Sequence, residues 1–159
     1  MVRVIVELDS GDWHGHASER LWAEPVEGSD VSTAFRLVNS PFFARGMSYR
    51  DIVIASPTAS DGGLVVERVL EHGGHSTYMI LADPNSQRFE EYWNELAALG
   101  CTYEGTGTEM TFGGRALYSV DVPPEADVYA AYSILERTEM NGVWGFQEGH
   151  VGHPLKSQV

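Results

Sequence analysis

The apolar rhythm of this chain changes near Gly73-Gly74: residues before the pair read as short strands, and residues after it as strand, helix, strand, strand, helix, strand. The switch from a β-only pattern to alternating strands and helices speaks to architecture. It predicts an α+β chain in which a β-rich part packs beside a layered one. With 159 residues, 43% of them hydrophobic and 21% charged, the chain has the material for one ordinary domain or two very small ones sharing an interface.

The first half parses into about five strands. Val2 to Leu8 alternates apolar and polar residues, Asp9-Ser10-Gly11-Asp12 turns the chain, and Ser18 to Pro25 carries Leu21-Trp22-Ala23. Val26-Glu27-Gly28-Ser29-Asp30 is rich in turn formers, and Ser32 to Val38 alternates again. Asp51 to Ser56 and Leu64 to Glu71 are joined by the turn Asp61-Gly62-Gly63. Short strands with tight connections predict a small closed or half-closed barrel over residues 1–74, an arrangement that limits exposed edges.

The second half starts with the strand Ser76 to Ala82. Asp83 is the expected helix cap, with Pro84 at the first helical position. Phe89, Trp93, Leu96 and Ala97 then share one helical face, and Gly100 ends the helix. Strands around Thr102 to Met110 and Ala116 to Val122 flank the turn Gly113-Gly114-Arg115. Pro123-Pro124-Glu125 opens a second helix with Val128, Ala131, Ile134 and Leu135 on one face, Asn141-Gly142 closes it, and Val143 to Val151 is the last strand. This order predicts a ferredoxin-like βαββαβ sandwich over residues 75–153, followed by a flexible tail at 154–159. Trp22 and Trp93 are expected in the core, Trp144 and Phe146 against the helices, and Tyr129 and Tyr132 beside the buried stripe.

The formal net charge of −13 repels phosphate backbones, so direct nucleic-acid binding is not expected. An acidic exterior instead suits solubility or attraction to a basic partner. No apolar run approaches the roughly 18 to 20 residues that span a bilayer. The first residues, Met1 to Glu7, meet an acid too soon for a signal peptide. The single cysteine, Cys101, cannot form an internal disulfide; together these features predict a cytoplasmic protein.

No stretch spells a nucleophile elbow, a phosphate loop or a closed metal site. Six histidines occur as His14-x-His16, His72-x-x-His75 and His150-x-x-His153, without the cysteine or glutamate companions of familiar zinc sites. His14-Gly15-His16 falls in a polar loop and His153 in the tail, where exposure is expected. Cys101 follows a helix C-terminus, whose negative dipole raises a thiol pKa, and reads as a small core residue. Ser76 adjoins His75, but neighbours on a strand face opposite ways and cannot act as a base–nucleophile pair. Glu104, Glu109 and Glu148 are the carboxylates available for acid–base work, at separations the sequence leaves open.

Ser18 to Pro25, Val38-Asn39-Ser40-Pro41-Phe42-Phe43-Ala44, Gly46 to Val53 and Gly74-His75-Ser76-Thr77 resemble, in succession, the blocks of the bacterial DUF4265 family, over roughly Glu19 to His150. That resemblance implies a family with no established activity, and no catalytic residue carries over. The second half is also loosely similar, in element order and acidity, to ferredoxin-like inhibitors of ribonuclease E.

Two functions are expected from these features. The first is a non-enzymatic acidic protein, immunity- or inhibitor-like, that docks on a basic protein partner. Its surface would draw on Glu7, Asp9, Asp12, Glu24, Glu27, Glu90 and Glu91. The second is a small-molecule sensor or enzyme with a cleft between the two halves, lined by Asn39, Phe42, Phe43, Asp51, His75 and Thr77. Here Asp51 reads as a turn residue before a general base, and one of Phe42 and Phe43 packs under the Gly46 turn. Catalytic residues stay unassigned, and neither a cofactor nor a metal is expected.

Overall fold

A computed structural model describes residues 1–28, 33–58, 62–107 and 110–156. The expected turn residues Ser29, Asp30 and Asp61, the strand start at Ser32, the carboxylate of Glu109 and the tail residues 157–159 lie outside the described residues.

Strands β1 (Val2–Glu7), β2 (Ser18–Pro25), β3 (Ala34–Leu37), β4 (Ile52–Pro57) and β5 (Leu64–Glu71) pair in chain order as an antiparallel meander. The meander closes into a barrel where β1 runs parallel to β5, with Val4 opposite Leu64 and Ile5 opposite Val65. Alternation does the sorting. Val4, Val6, Leu21, Ala23, Phe35, Leu37, Val53 and Ala55 fill the interior, and Ala44 and Met47 join them from the β3–β4 connection. Trp22 falls on the opposite parity from Leu21 and Ala23 and is 40% exposed, so it is not a core residue. Its ring lies instead under the Arg3 guanidinium, 4.5 Å from the centroid.

The second sheet has the order β10-β6-β9-β7, built from β6 (Ser76–Ala82), β7 (Thr102–Gly105), β9 (Arg115–Val122) and β10 (Trp144–His150), with β8 (Thr111–Phe112) pairing β9. The β8–β9 hairpin turns on Gly113 and Gly114, at φ 61° and 80°, the left-handed pair that a two-residue turn requires. The chain is therefore mixed α+β, a closed five-stranded barrel followed by a sheet with two helices.

Both helices begin later than expected. Asp83 and Pro84 form a turn, in which Asp83 Oδ1 accepts from the Asn85 N–H at 2.9 Å, and α1 (Gln87–Ala98) starts after Ser86 without a side-chain cap. Its inner face is Phe89, Tyr92, Trp93 and Leu96; Ala97 is exposed. The second helix, α2 (Val128–Met140), is capped by Asp127, whose carboxylate accepts from Tyr129 and Ala130 at 3.0 and 3.2 Å. Pro123, Pro124 and Glu125 lie ahead of it.

Strands β6 and β9 are buried on both faces. One parity, Tyr78, Ile80, Ala82, Ala116, Tyr118, Val120 and Val122, packs with both helices and Trp144. The other parity carries Met79 and Leu117, which meet Phe43 from the barrel side, with Leu8, Phe42, Leu81 and Phe112 around them. The order through the molecule is helices, sheet, barrel. Among the described residues no helix is long and apolar enough to cross a membrane.

Candidate functional site

The seam between barrel and sheet is where the chain spends its buried polar groups. The parity of β6 and β9 that faces the barrel is apolar at Met79, Leu81 and Leu117 and polar at Thr77, Ser119 and Asp121. Thr77 Oγ1 donates to Ser48 Oγ at 2.6 Å, Ser119 Oγ donates to the Pro41 carbonyl at 2.6 Å, and the Gly46 N–H donates to the Gly149 carbonyl at 3.0 Å. On the barrel side, buried Glu19 gathers the loop that reaches across. Its carboxylate accepts from the backbone N–H of Phe42, Phe43 and Ala44 at 2.6, 3.1 and 2.9 Å. Three donors satisfied by one acid make an irregular loop affordable in a buried place.

Asp51 is fully buried at the start of β4. It accepts from the Ser48 N–H at 2.9 Å, the Gly73 N–H at 2.8 Å and His72 Nδ1 at 2.9 Å. The expected turn role holds in one respect, since Asp51 closes the Ser48–Asp51 turn, but the residue also ties that turn to the end of β5. His72 stacks on His150 of β10, with ring centroids 4.4 Å apart and planes 18° from parallel. Burial, and then the neighbouring His72, pushes the His150 imidazole below its ordinary pKa.

Two more histidines are engaged nearby. His75 Nδ1 donates to both oxygens of Asp121, at 2.9 and 3.0 Å, while the edge of the Tyr49 ring stands against it at 5.2 Å. Burial raises the Asp121 carboxyl above the usual carboxylate range and outweighs the opposing pull of His75. His153 is buried, not exposed in a tail: its Nδ1 takes the Ser76 hydroxyl at 2.6 Å and its Nε2 donates to the Pro123 carbonyl at 2.8 Å. Ser76 thus meets a histidine from the far end of the chain and not its neighbour. It is fully buried and also accepts from the Gly152 N–H, so the pair fastens the C-terminal segment. His14 and His16 are likewise part-buried, packing on Phe43 with centroids 4.7 and 4.6 Å away.

Beside this network, a cleft of about 430 Å³ opens between the barrel residues Val38, Ser40 and Tyr49 and the sheet residues Thr102, Tyr103, Glu104, Ser119 and Asp121, with Glu125 at its border. Among the described residues, three carboxylates line it and no Lys or Arg does. Glu104, like Asp121, is held above the usual carboxylate range by burial.

Of the residues expected around a cleft, the fold brings together Asp51, His75 and Thr77, through Ser48 and Tyr49. It sends the other three elsewhere. Asn39 accepts from the Trp22 N–H at 2.8 Å on the barrel wall, whereas Phe42 and Phe43 border a different hollow with Gly105, Thr106 and Met110. Phe43 is buried against the sheet, with Met79 and Leu117 around its ring, and Phe42 is half-buried. The seven acids of the expected partner surface are spread along the molecule. Glu7 pairs with Ser18 while Val2 pairs with Ala23, so Glu24 stands six rungs from Glu7, about 20 Å along the ladder. Asp12 and Glu24 face Arg45 and Arg50, each at 3.6 Å, and Glu90 and Glu91 ride on α1, beyond the sheet from the barrel.

The family pattern of DUF4265, a domain of unknown function, matches residues 19–146. The chain belongs to the DUF4265 family. The matched span runs from Glu19, at the start of the loop-gathering strand, to Phe146 in β10, and so holds the acidic cleft and the whole Asp51–His72 contact. His150 and His153 fall beyond it. The fold of this DUF4265 chain is similar to the crystal structure of a hypothetical protein from Neisseria gonorrhoeae, with a TM-score of 0.72 and 19% identity over 95% of each chain. No curated protein matches it.

Sequence reasoning missed Asp121, Tyr49 and the meeting of His72 with His150. The one available signal was parity: Thr77 and Asp121 fall on the barrel-facing side of β6 and β9 and pair across the ladder. In the same DUF4265 core, Cys101 is buried and its thiol is pushed up to about 12 by burial and then by Asp121. The direction is the one expected at a helix C-terminus, with burial as its largest cause. Because thiolate is the reacting form, alkylation of the native protein by iodoacetamide at pH 8 is expected to run at least about a hundredfold slower than in denaturant. Labelling at the unfolded rate, followed by mass spectrometry, would contradict this assignment.

Proposed function

We propose that this DUF4265 protein is a non-enzymatic binding protein that docks on a basic protein partner and neutralises it, as an inhibitor or immunity protein does. The supporting observation is the cleft of about 430 Å³ at the barrel–sheet junction, with Glu104, Asp121 and Glu125 in its lining and, among the described residues, no Lys or Arg beside them. Carboxylates gathered on one cleft, two of them partly desolvated, are stabilised by an incoming positive charge. Tyr49 and Tyr103 present ring faces or edges to the same space, which suits a guanidinium or ammonium group. The net charge of −13 adds long-range attraction to a basic surface. Part of the scattered acidic exterior serves this attraction, while the cleft takes one cationic side chain.

The proposal extends to architecture. Residues 1–74 and 75–153 are read as two subdomains sharing the polar seam, and the second as ferredoxin-like. The order β10-β6-β9-β7, its antiparallel pairs and a helix in each crossover support that reading. A kinship with ribonuclease E inhibitors has the same support, element order and acidity, and nothing further.

A second reading has its own observation. The cleft falls within the size range of small-molecule sites, so a free amine sensed or processed there is the alternative. One experiment separates the two. Wild-type protein and the Glu104→Gln/Glu125→Gln variant, both changed at exposed positions, are used to capture partners from host extract, and each is titrated with an arginine-rich peptide and with spermidine. The docking function expects a basic protein retained by wild type only, with peptide affinity at least tenfold lower in the variant and steeply salt-dependent. Saturable spermidine binding without a captured protein points to the small-molecule reading. Equal behaviour of wild type and variant in every arm rejects the cleft.

A further inference from the structure

Asp51, His72 and His150 come from three separate elements, the start of β4, the end of β5 and the end of β10, and their ligand-type atoms all lie within 4.8 Å of one another. Two neutral imidazoles and a carboxylate are the donor set that first-row divalent ions prefer, and ligand atoms around such an ion sit about 3 Å apart. Part of that spacing is already present, since His72 Nδ1 and Asp51 Oδ2 are 2.9 Å apart.

The supports of a metal centre surround these groups. Both oxygens of Asp51 are oriented by backbone donors, the Ser48 and Gly73 N–H groups, as carboxylate ligands are when their direction is set by the outer shell. His150 sits just after a register shift in the β10–β6 ladder, and its ring lies against that of His72. Its Nε2 is buried and has no hydrogen-bond partner among the described residues. An orphaned ring nitrogen in a protein interior costs free energy unless something is bound to it. His72 is the adaptable member: its side chain is 46% exposed, so it can turn out of the stack to complete the set. A hollow of about 250 Å³ with Arg36, Arg50, Glu71 and His75 in its lining opens beside His72, which leaves room for solvent or a small anion on the ion's open side.

We propose that Asp51, His72 and His150 form a mononuclear site for a first-row divalent cation of the zinc class, with at least one coordination position open to the adjoining hollow. The site is independent of the acidic cleft, and either can fail without the other. Three protein ligands and an open position are the composition of exchangeable or catalytic centres; a closed structural centre takes four.

The test uses the full chain, stripped by dialysis against a chelator and titrated with Zn2+ alone by calorimetry and thermal denaturation. One ion per chain and a melting temperature that climbs with Zn2+ concentration are expected. His72→Ala removes an exposed ligand without disturbing the core and is expected to weaken binding at least about a hundredfold, beyond the loss seen when only outer-shell partners are removed. His150→Ala should do the same, and if that variant does not fold, His72→Ala decides alone. His16→Ala, which removes a histidine stacked on Phe43 and outside both the ligand set and the adjoining hollow, should bind Zn2+ as wild type does. The proposal is overturned if wild type takes up no Zn2+, if His72→Ala binds with unchanged affinity, or if His16→Ala is weakened equally.

Discussion

Asp51→Ala is expected to destabilise the protein by about 3–5 kcal/mol, lowering the melting temperature by roughly 6 to 15 °C for a chain of this size. The carboxylate is fully buried and accepts from three donors, of which the Ser48 N–H is buried with it and loses its partner outright, while Gly73 and His72 stand at more exposed positions. Each orphaned donor costs about 1–3 kcal/mol. The loss does not stop at the turn. Arg50 is held at φ 72°, a left-handed conformation unusual for a residue with a side chain, inside the turn that Asp51 closes. Ser48 in that turn also receives the Thr77 hydroxyl, so loosening it also loosens the barrel's grip on β6. Asp51→Asn keeps the shape but turns an amide donor toward an N–H or His72, and should fall between alanine and wild type. Urea unfolding at pH 7 measures both, and a loss below about 1 kcal/mol for the alanine variant would show that the buried network does not hold the turn.

Glu19→Ala is the second large effect, about 3–4 kcal/mol, from uncovering the three N–H groups of Phe42, Phe43 and Ala44. Its signature differs from that of Asp51. The loop it holds delivers Phe43 to Met79 and Leu117, and Trp13 stands edge-on to Phe43 and Phe112 at 6.2 and 5.1 Å. Hydrogen exchange at amides 42–44 should therefore accelerate far more than the global loss of stability explains, with a change in Trp13 emission. Glu19→Gln keeps one oxygen acceptor and should cost about half as much. If exchange at those three amides stays at the wild-type rate in the alanine variant, the carboxylate is not what orders the loop.

Much of the architecture was legible because it depends on local periodicity. Inside-out alternation in Val2 to Glu7 and Ser18 to Pro25, the Gly113-Gly114 turn and the helical stripes of Phe89/Trp93/Leu96 and Val128/Ala131/Leu135 each announce an element within a few residues of its bounds. The errors arise where a local signal was read without its surroundings. Asp83 and Pro84 are good helix starters, but the Asx-turn to Asn85 uses them first. Trp22 is apolar, but its parity faces outward and Arg3 covers it. The site was less legible. Asp51, His75 and Thr77 lie near one another through Ser48 and Tyr49 but do not line the acidic cleft, whereas Asn39 and the two phenylalanines are occupied in holding the barrel wall and the apolar side of the seam.

What the sequence determined by itself is therefore the set of elements, the burial of their apolar faces and the acidity of the whole, since each follows from which neighbours lie two, three or four residues away. Only the tertiary structure decided that His72 meets His150, that Ser76 meets His153 and that Asp121 holds His75. These contacts join residues 46 to 78 positions apart, across strands whose order β10-β6-β9-β7 no local pattern encodes. A side chain's chemistry is written in its type, but its partner is chosen by how the layers close, and in this protein the barrel closes onto the polar end of a sheet.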